Sequence, residues 1–260
     1  MESEDVNPSM NETEEAKPKN FFSRLGDVYL SPKEAFEEIG RSPRVLVPII
    51  ALILIGLVTG FVLANKVDIQ SIVDSQIEAA ISKGQPPQQI EQARPLLTLV
   101  FKGIITCMFF LGCIFNSLIL AGFIKLFSAL AGAKNRFKSV FSMALFSVLA
   151  ISLIQQILMI VIAFIKGTVE TTLSNIQFLV ASNLGAVVGS IMGEDALPIY
   201  LMHLFRYVDF FTIWMIVLLA IGSAAVSKKL KTSTAAAWLG GAYAIIALIG
   251  ALFSSRSPVG

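Results

Sequence analysis

Four polar side chains stand inside long apolar stretches of this chain, and they are its first candidates for chemistry. They are Asn116, Gln155, Gln156 and Asn183. An amide group in lipid is costly unless it hydrogen-bonds to another polar group or to water. Two uses fit: a hydrogen bond between neighbouring helices, or a hydrated path for a small solute. The sequence leaves both open.

A carboxylate stands at the start of another apolar stretch. Asp209 directly precedes Phe210, where a helix is expected to begin, and a side-chain oxygen at that position accepts hydrogen bonds from free backbone N–H groups. The alternative is a charged group at the mouth of a cavity. Trp214, about one turn further on, is placed where aromatic residues gather at a membrane interface.

Catalytic and metal-binding groups are sparse. His203 is the one histidine, and Cys107 and Cys113 fall inside an apolar stretch, where cysteine behaves as a small hydrophobic residue. No cluster of His, Cys and Glu has the spacing of metal ligands. We therefore predict a protein that is not an enzyme and has no metal and no cofactor. A net charge of +2 also argues against a nucleic-acid partner.

The elements that must position these residues are apolar runs of membrane-spanning length. Val45 to Ala64 contains no charged residue, and its 20 residues span about 30 Å as a helix, the thickness of a hydrocarbon core. Backbone polar groups in lipid must be paired within the segment, which favours helices. Four more runs lie near 96–127, 140–165, 210–226 and 235–252. The sequence predicts an all-α polytopic membrane bundle of five transmembrane helices, one domain over 44–253, with residues 66–94 as an extramembrane hairpin.

Basic residues orient this bundle. Six Lys and Arg precede the first run, and the other loops on that side carry four and three; the loops on the far side carry three, two and one. Positive charge concentrates in cytoplasmic loops, so the N terminus is predicted to be cytoplasmic. A sixth span at 173–191 would move the cluster Lys228 to Lys231 outside, so that segment is predicted to be non-spanning or re-entrant.

The region before the first run has two parts. Residues 1–20 hold six acidic side chains and little apolar surface, which predicts a disordered acidic tail. Residues 21–43 are amphipathic, and Ser31 to Glu34 form a capping box with Pro32 at the first helical position. This segment is expected either to lie among the headgroups as an interfacial helix or to pack on the ends of the bundle.

Small residues recur at a spacing of four, as in Gly56 and Gly60. Such pairs let helix backbones approach closely in membranes. They serve either the packing of the bundle or a homo-oligomer, and the pattern does not separate the two.

Three stretches resemble bacterial members of the Yip (Ypt-interacting protein) domain family: GAKNRFKSVFSMALFS from Gly132, SNLGAVVG from Ser182, and VDFFTIWMIVLLAIGSAAVSK from Val208. The YLSPKEAFEEIGRSP segment before the first run is similar to the same group. The matching motif residues are Asp209, Phe211, Trp214, Gly222, Gly132 and Phe137. The resemblance implies a multi-pass protein of the bacterial inner membrane with five spans and a cytoplasmic N terminus. Eukaryotic relatives bind small Rab-type GTPases through features that this sequence does not show.

These observations favour a non-catalytic scaffold or adaptor. Its surface is predicted from three cytoplasmic segments: 21–44, 132–138 and 228–231. They supply a basic ring for anionic lipid headgroups and a contact for a cytoplasmic protein partner, with a homo-oligomer as a further candidate. The alternative is a small-solute transporter or channel built from the four amides and Asp209.

Overall fold

The computed structural model describes residues 19–169, 171, 176, 179–193, 197–227 and 229–254. Within these ranges the chain forms eleven helices and no strand. They are α1 (Phe21–Leu30), α2 (Pro32–Arg41), α3 (Leu46–Lys66), α4 (Ile69–Ser82), α5 (Pro87–Gln92), α6 (Arg94–Leu130), α7 (Phe137–Lys166), α8 (Leu184–Met192), α9 (Ile199–Tyr207), α10 (Phe210–Ser227) and α11 (Thr232–Ser254). Residues 1–18 of the predicted acidic tail and Lys228 of the basic cluster lie outside the described ranges.

Five of the helices are long and apolar enough to cross a membrane: α3, α6, α7, α10 and α11. The prediction of an all-α, five-span bundle is therefore confirmed. Helix α6 has 37 residues and a length of about 55 Å, so it must tilt or project beyond the bilayer. Helix α8 covers part of the ambiguous 173–191 segment, and its nine residues reach only about 13 Å, too short for a span.

Helix α7 lies at the centre of the bundle. From Ser139 to Ser152 every residue except Phe141 is buried. Helices α3, α6, α10 and α2 all pack against α7. Two serines in its first two turns bond to the end of α2 and to the chain that follows it: Ser139 Oγ donates to the carbonyl of Gly40 at 2.9 Å, and Ser142 Oγ to that of Arg44 at 2.9 Å.

Helices α3 and α6 approach each other through glycines. A Cβ atom on Gly56 would lie 2.6 Å from Phe110 Cα, and one on Gly60 would lie 2.6 Å from Thr106 Cα. Both obstacles are backbone atoms of α6, which a rotamer change cannot move. This pair of small residues therefore serves the packing of the bundle. Gly240 on α11, by contrast, has no atom within 4 Å of such a Cβ.

The amphipathic segment forms a helical hairpin, α1–α2, that packs into the bundle. Val28, Phe36 and Ile39 are fully buried. Helix α2 packs along α10 and α7, and α1 packs on α7. The segment is therefore docked on the bundle, and its position relative to the lipid headgroups stays a prediction.

The polar stretch after α3 folds into α4 and α5. The apolar side of α4, which includes Ile69, Val73 and Ile77, is buried, and α4 packs on α6. Asp68 caps α4 by accepting from the backbone N–H groups of Gln70 and Ser71. Helices α4 and α5 cover the end of α6 that lies far from α1 and α2.

Candidate functional site at the basic end of the bundle

The structure does not gather the four amide side chains at one point. Asn116 is exposed on α6, while Gln155 is half-buried and Gln156 is 3% exposed on α7. Gln156 Nε2 donates to Cys113 Sγ at 3.6 Å, so an α6–α7 polar contact exists without Asn116. Asn183 lies in the segment that precedes α8, where its Oδ1 accepts from the backbone N–H of Ala186 at 2.9 Å.

Asp209 occupies a capping position at the start of α10. Its Oδ1 accepts from the backbone N–H of Thr212 at 3.0 Å, and Ser182 Oγ donates to Oδ2. The backbone N–H of Phe210 donates to the Ser182 carbonyl at 3.1 Å, and that of Leu184 to the Val208 carbonyl at 2.8 Å. Asp209 therefore joins the start of α10 to the start of α8.

Three motif residues on α10 contact the buried part of the protein or the hairpin. Phe211 is 6% exposed. The ring centroids of Trp214 and Tyr29 are 5.9 Å apart, and Tyr29 Oη donates to the carbonyl of Ala150 at 2.6 Å. Burial raises the pKa of the Tyr29 hydroxyl, which keeps it a donor. A Cβ atom on Gly222 would lie 2.6 Å from Met143 on α7 and 3.2 Å from the Phe36 ring, so glycine makes room for both α7 and α2.

The other two motif residues shape the loop between α6 and α7. Gly132 follows α6 with a φ of +71°, a left-handed conformation that other residues rarely adopt, and its N–H donates to the Ala129 carbonyl at 2.9 Å. Phe137 begins α7 and stacks on Phe141, with centroids 5.9 Å apart. These two contacts fix where the loop leaves one helix and enters the next.

A buried arginine ties the two helices of the hairpin together. Arg24 is fully buried; its Nη1 donates to the Ser42 carbonyl at 2.7 Å, and its Nη2 lies 3.2 Å from Glu38 Oε1. Burial lowers the pKa of the Arg24 guanidinium, and the Glu38 carboxylate opposes part of that shift. The backbone N–H of Lys19 also donates to Glu38, at 2.9 Å. Sequence reasoning missed this residue, which has the appearance of a surface cation in an amphipathic helix.

Three segments that are distant in the sequence are bonded together at the end of the bundle that carries Gly40. Asn135 Nδ2 donates to Ser227 Oγ at 3.0 Å, which links the α6–α7 loop to the end of α10. Lys125 Nζ donates to Asn135 Oδ1 at 3.0 Å. A Cβ atom on Gly40 would lie 3.3 Å from Val226 Cγ2, so α2 also contacts the end of α10. We call this end of the bundle the basic end.

A cleft of about 410 Å³ lies where these segments meet. Its charged lining residues are Lys134, Arg136 and Lys229, all exposed, and none of the described residues that line it carries a carboxylate. Its uncharged polar lining comes from Asn135 and the serines already described. We call it the basic cleft; its positive charge suits an anionic group.

The fold and this site define a class of protein: a multi-pass membrane helix bundle with an amphipathic hairpin docked at one end. A family model for the Yip1 domain matches residues 26–254, and the chain belongs to that family. No curated protein and no solved structure matches the chain. Among the described residues, no group of three or more His, Cys, Asp or Glu side chains is placed to hold a metal ion.

Proposed function

We propose that this protein is a non-catalytic scaffold in the bacterial inner membrane that recruits a soluble cytoplasmic protein to the basic cleft. The observation that carries the proposal is the cleft itself, which three remote segments build and hold by hydrogen bonds. A cleft lined by three cations favours a partner that presents an acidic segment. Cations outside the cleft, such as Arg44 and Lys138, are placed for anionic headgroups, each worth about 1 kcal/mol near such a surface.

The transport alternative has less support. A solute path requires polar side chains that face one another or a shared cavity. Asn116 is exposed on the outer side of α6, Gln156 bonds to Cys113, and Asn183 and Asp209 are engaged in capping bonds. These contacts therefore favour the scaffold over the transport alternative.

Removal of the charges of the cleft tests the proposal. In the variant with Lys134→Gln, Arg136→Gln and Lys229→Gln, we expect the recovered amount of a soluble partner that co-purifies with the wild type to fall at least tenfold. Quantitative mass spectrometry measures that amount. The reason is that the partner's acidic groups lose their counter-charges. Glutamine keeps the hydrogen-bonding capacity and leaves enough nearby cations to preserve the orientation of the bundle.

The matched control carries Lys83→Gln and Lys166→Gln, two exposed cations away from the basic end. It should retain the partner. Direct titration of the purified partner should show affinity that falls as ionic strength rises, because exposed charges are screened by salt. Equal recovery of soluble proteins with the cleft variant and the wild type would refute the proposal.

A further inference from the structure

A second concavity lies between α2 and α10 and opens to about 850 Å³. One wall comes from α2 and carries four charged side chains: Lys33, Glu34, Glu37 and Arg41. The other wall comes from α10 and is apolar, formed by Ile221, Ala224 and Ala225. We call it the α2–α10 groove. It is separate from the basic cleft, and nothing in the proposed recruitment of a partner depends on it.

The groove runs alongside a membrane-spanning helix. Gly40 contacts Val226 near the end of α10, and Phe36 contacts Gly222, which is five residues or about 7 Å from Ser227. The hairpin reaches deeper still, since the Tyr29 ring lies beside Trp214, about 20 Å from Ser227 along α10. The α10 residues that line the groove lie between Ile221 and Ala225, within about 9 Å of Ser227, so the groove follows the last two turns of this membrane-spanning helix.

Charged side chains beside the end of a membrane-spanning helix are placed to bind lipid headgroups, which carry charges themselves. Lys33, Glu34 and Glu37 lie within the first two turns of α2, the turns that lie deeper along α10, and all three are exposed to the groove or to solvent. Together with Arg41 they supply two positive and two negative charges, a sum of zero. The occupant that matches this wall carries both signs and no net charge.

We propose that the α2–α10 groove binds one zwitterionic phospholipid with a primary amine in its headgroup, of the phosphatidylethanolamine class. The ammonium donates to the carboxylates of Glu34 and Glu37, and the phosphate accepts from Arg41 and Lys33. The start of an acyl chain lies along Ala224 and Ala225, whose small side chains leave it room. An anionic lipid without an amine would face two uncompensated carboxylates.

The position of the groove favours a lipid over a soluble protein. Leu30, which lines the groove together with Ile221, is an apolar side chain that is 83% exposed, as expected of a side chain that contacts lipid. Lipids surround the membrane-spanning part of the bundle, whereas a soluble partner reaches only its end. An amphipathic helix from another membrane protein or from a second copy is the competing occupant, and the test separates it from a lipid.

Native mass spectrometry of the purified protein provides the test. Phosphatidylethanolamine, phosphatidylcholine and phosphatidylglycerol with identical acyl chains are titrated separately. We expect phosphatidylethanolamine to bind at least tenfold more tightly than the other two, because phosphatidylcholine has no N–H donor and phosphatidylglycerol has no cation. In the Glu34→Gln, Glu37→Gln variant this preference should fall at least tenfold. The matched control is Glu78→Gln, which changes an exposed residue of α4 and should keep the preference for phosphatidylethanolamine.

Ala224→Leu narrows the groove without a change in charge and should weaken all three lipids together, which separates groove occupancy from headgroup selection. Unchanged melting temperatures would show that the variants fold. Equal affinity for the three lipids, or a preference that survives the Glu34 and Glu37 substitutions, would overturn the proposal. So would a photo-cross-linker at Glu37 that captures a second copy or another membrane protein in place of lipid.

Discussion

Arg24→Ala is expected to release the N-terminal hairpin from the bundle. The substitution leaves Glu38 without its counter-ion and the Ser42 carbonyl without its donor, and it opens a cavity at a fully buried position. Removal of one partner from a buried ion pair costs about 3–5 kcal/mol, and the lower end applies here because the Glu38 side chain is 18% exposed. A cysteine at Val28, which is fully buried, should become reactive toward maleimide in this background.

Two further variants make this test specific to the buried pair. Lys19→Ala removes an ion pair with Asp27 whose lysine side chain is 51% exposed, and it should leave the cysteine at Val28 protected. Arg24→Met combined with Glu38→Gln replaces the pair by groups that carry no charge, and it should restore much of the protection. A protected cysteine at Val28 in Arg24→Ala would show that the arginine does not hold the hairpin.

The second large effect is expected where α3 meets α6. Gly56→Ala and Gly60→Ala each place a methyl group 2.6 Å from a backbone atom of α6, so the two helices must separate. Forced overpacking of this kind costs about 1–3 kcal/mol at each site. The melting temperature of the detergent-solubilised monomer should fall with each substitution and fall further with both.

Gly240→Ala on α11 is the matched control. The new methyl group meets nothing within 4 Å, so stability should be unchanged or rise by about 0.5–1 kcal/mol through the better helix propensity of alanine. If Gly60→Ala instead left the monomer intact and dissociated an oligomer, this glycine pair would serve contact between copies and not the packing of α3 on α6.

The spans could be predicted from the sequence because each apolar run is a local signal. Length and the absence of charge decide whether a helix crosses the bilayer, and neither depends on neighbours. The start of α10 was readable for the same reason, since an acidic residue before an apolar run is a capping pattern, and Asp209 does accept from the Thr212 N–H. Such local signals do not predict which face of a helix contacts lipid.

The depth of the hairpin was not predictable from local pattern. Arg24 has the spacing of a surface residue, and it is buried only because folding brings the Ser42 carbonyl and Glu38 to it. Asn116 shows the reverse case. It stands near the middle of an apolar run, which favours a buried partner, yet α6 presents it on its exposed side. Tertiary packing decides both outcomes.

The basic cleft was predictable from the sequence only in part. The sequence predicts each of its three segments to face the cytoplasm, one as an amphipathic helical segment and two as basic loops. Their convergence depends on contacts between residues about ninety or more positions apart, such as Ser139 with Gly40 and Asn135 with Ser227. The structure brings the three predicted segments together at one end of the bundle, and their role as an interaction surface stays a prediction. No local pattern in the sequence predicts that these three segments form a cleft.

The proposed recruitment of a cytoplasmic protein requires that the basic end faces the cytoplasm. The most direct test uses single cysteines at Thr232, the first residue of α11 at the basic end, and at Ser75, on α4 at the opposite end, in a protein whose Cys107 and Cys113 are replaced by alanine. Both positions are exposed. A membrane-impermeant maleimide should label the cysteine at Ser75 in cells whose inner membrane is intact, and the one at Thr232 only after that membrane is opened. Labelling at Thr232 in intact cells would place the basic end outside the cytoplasm and contradict the proposed function.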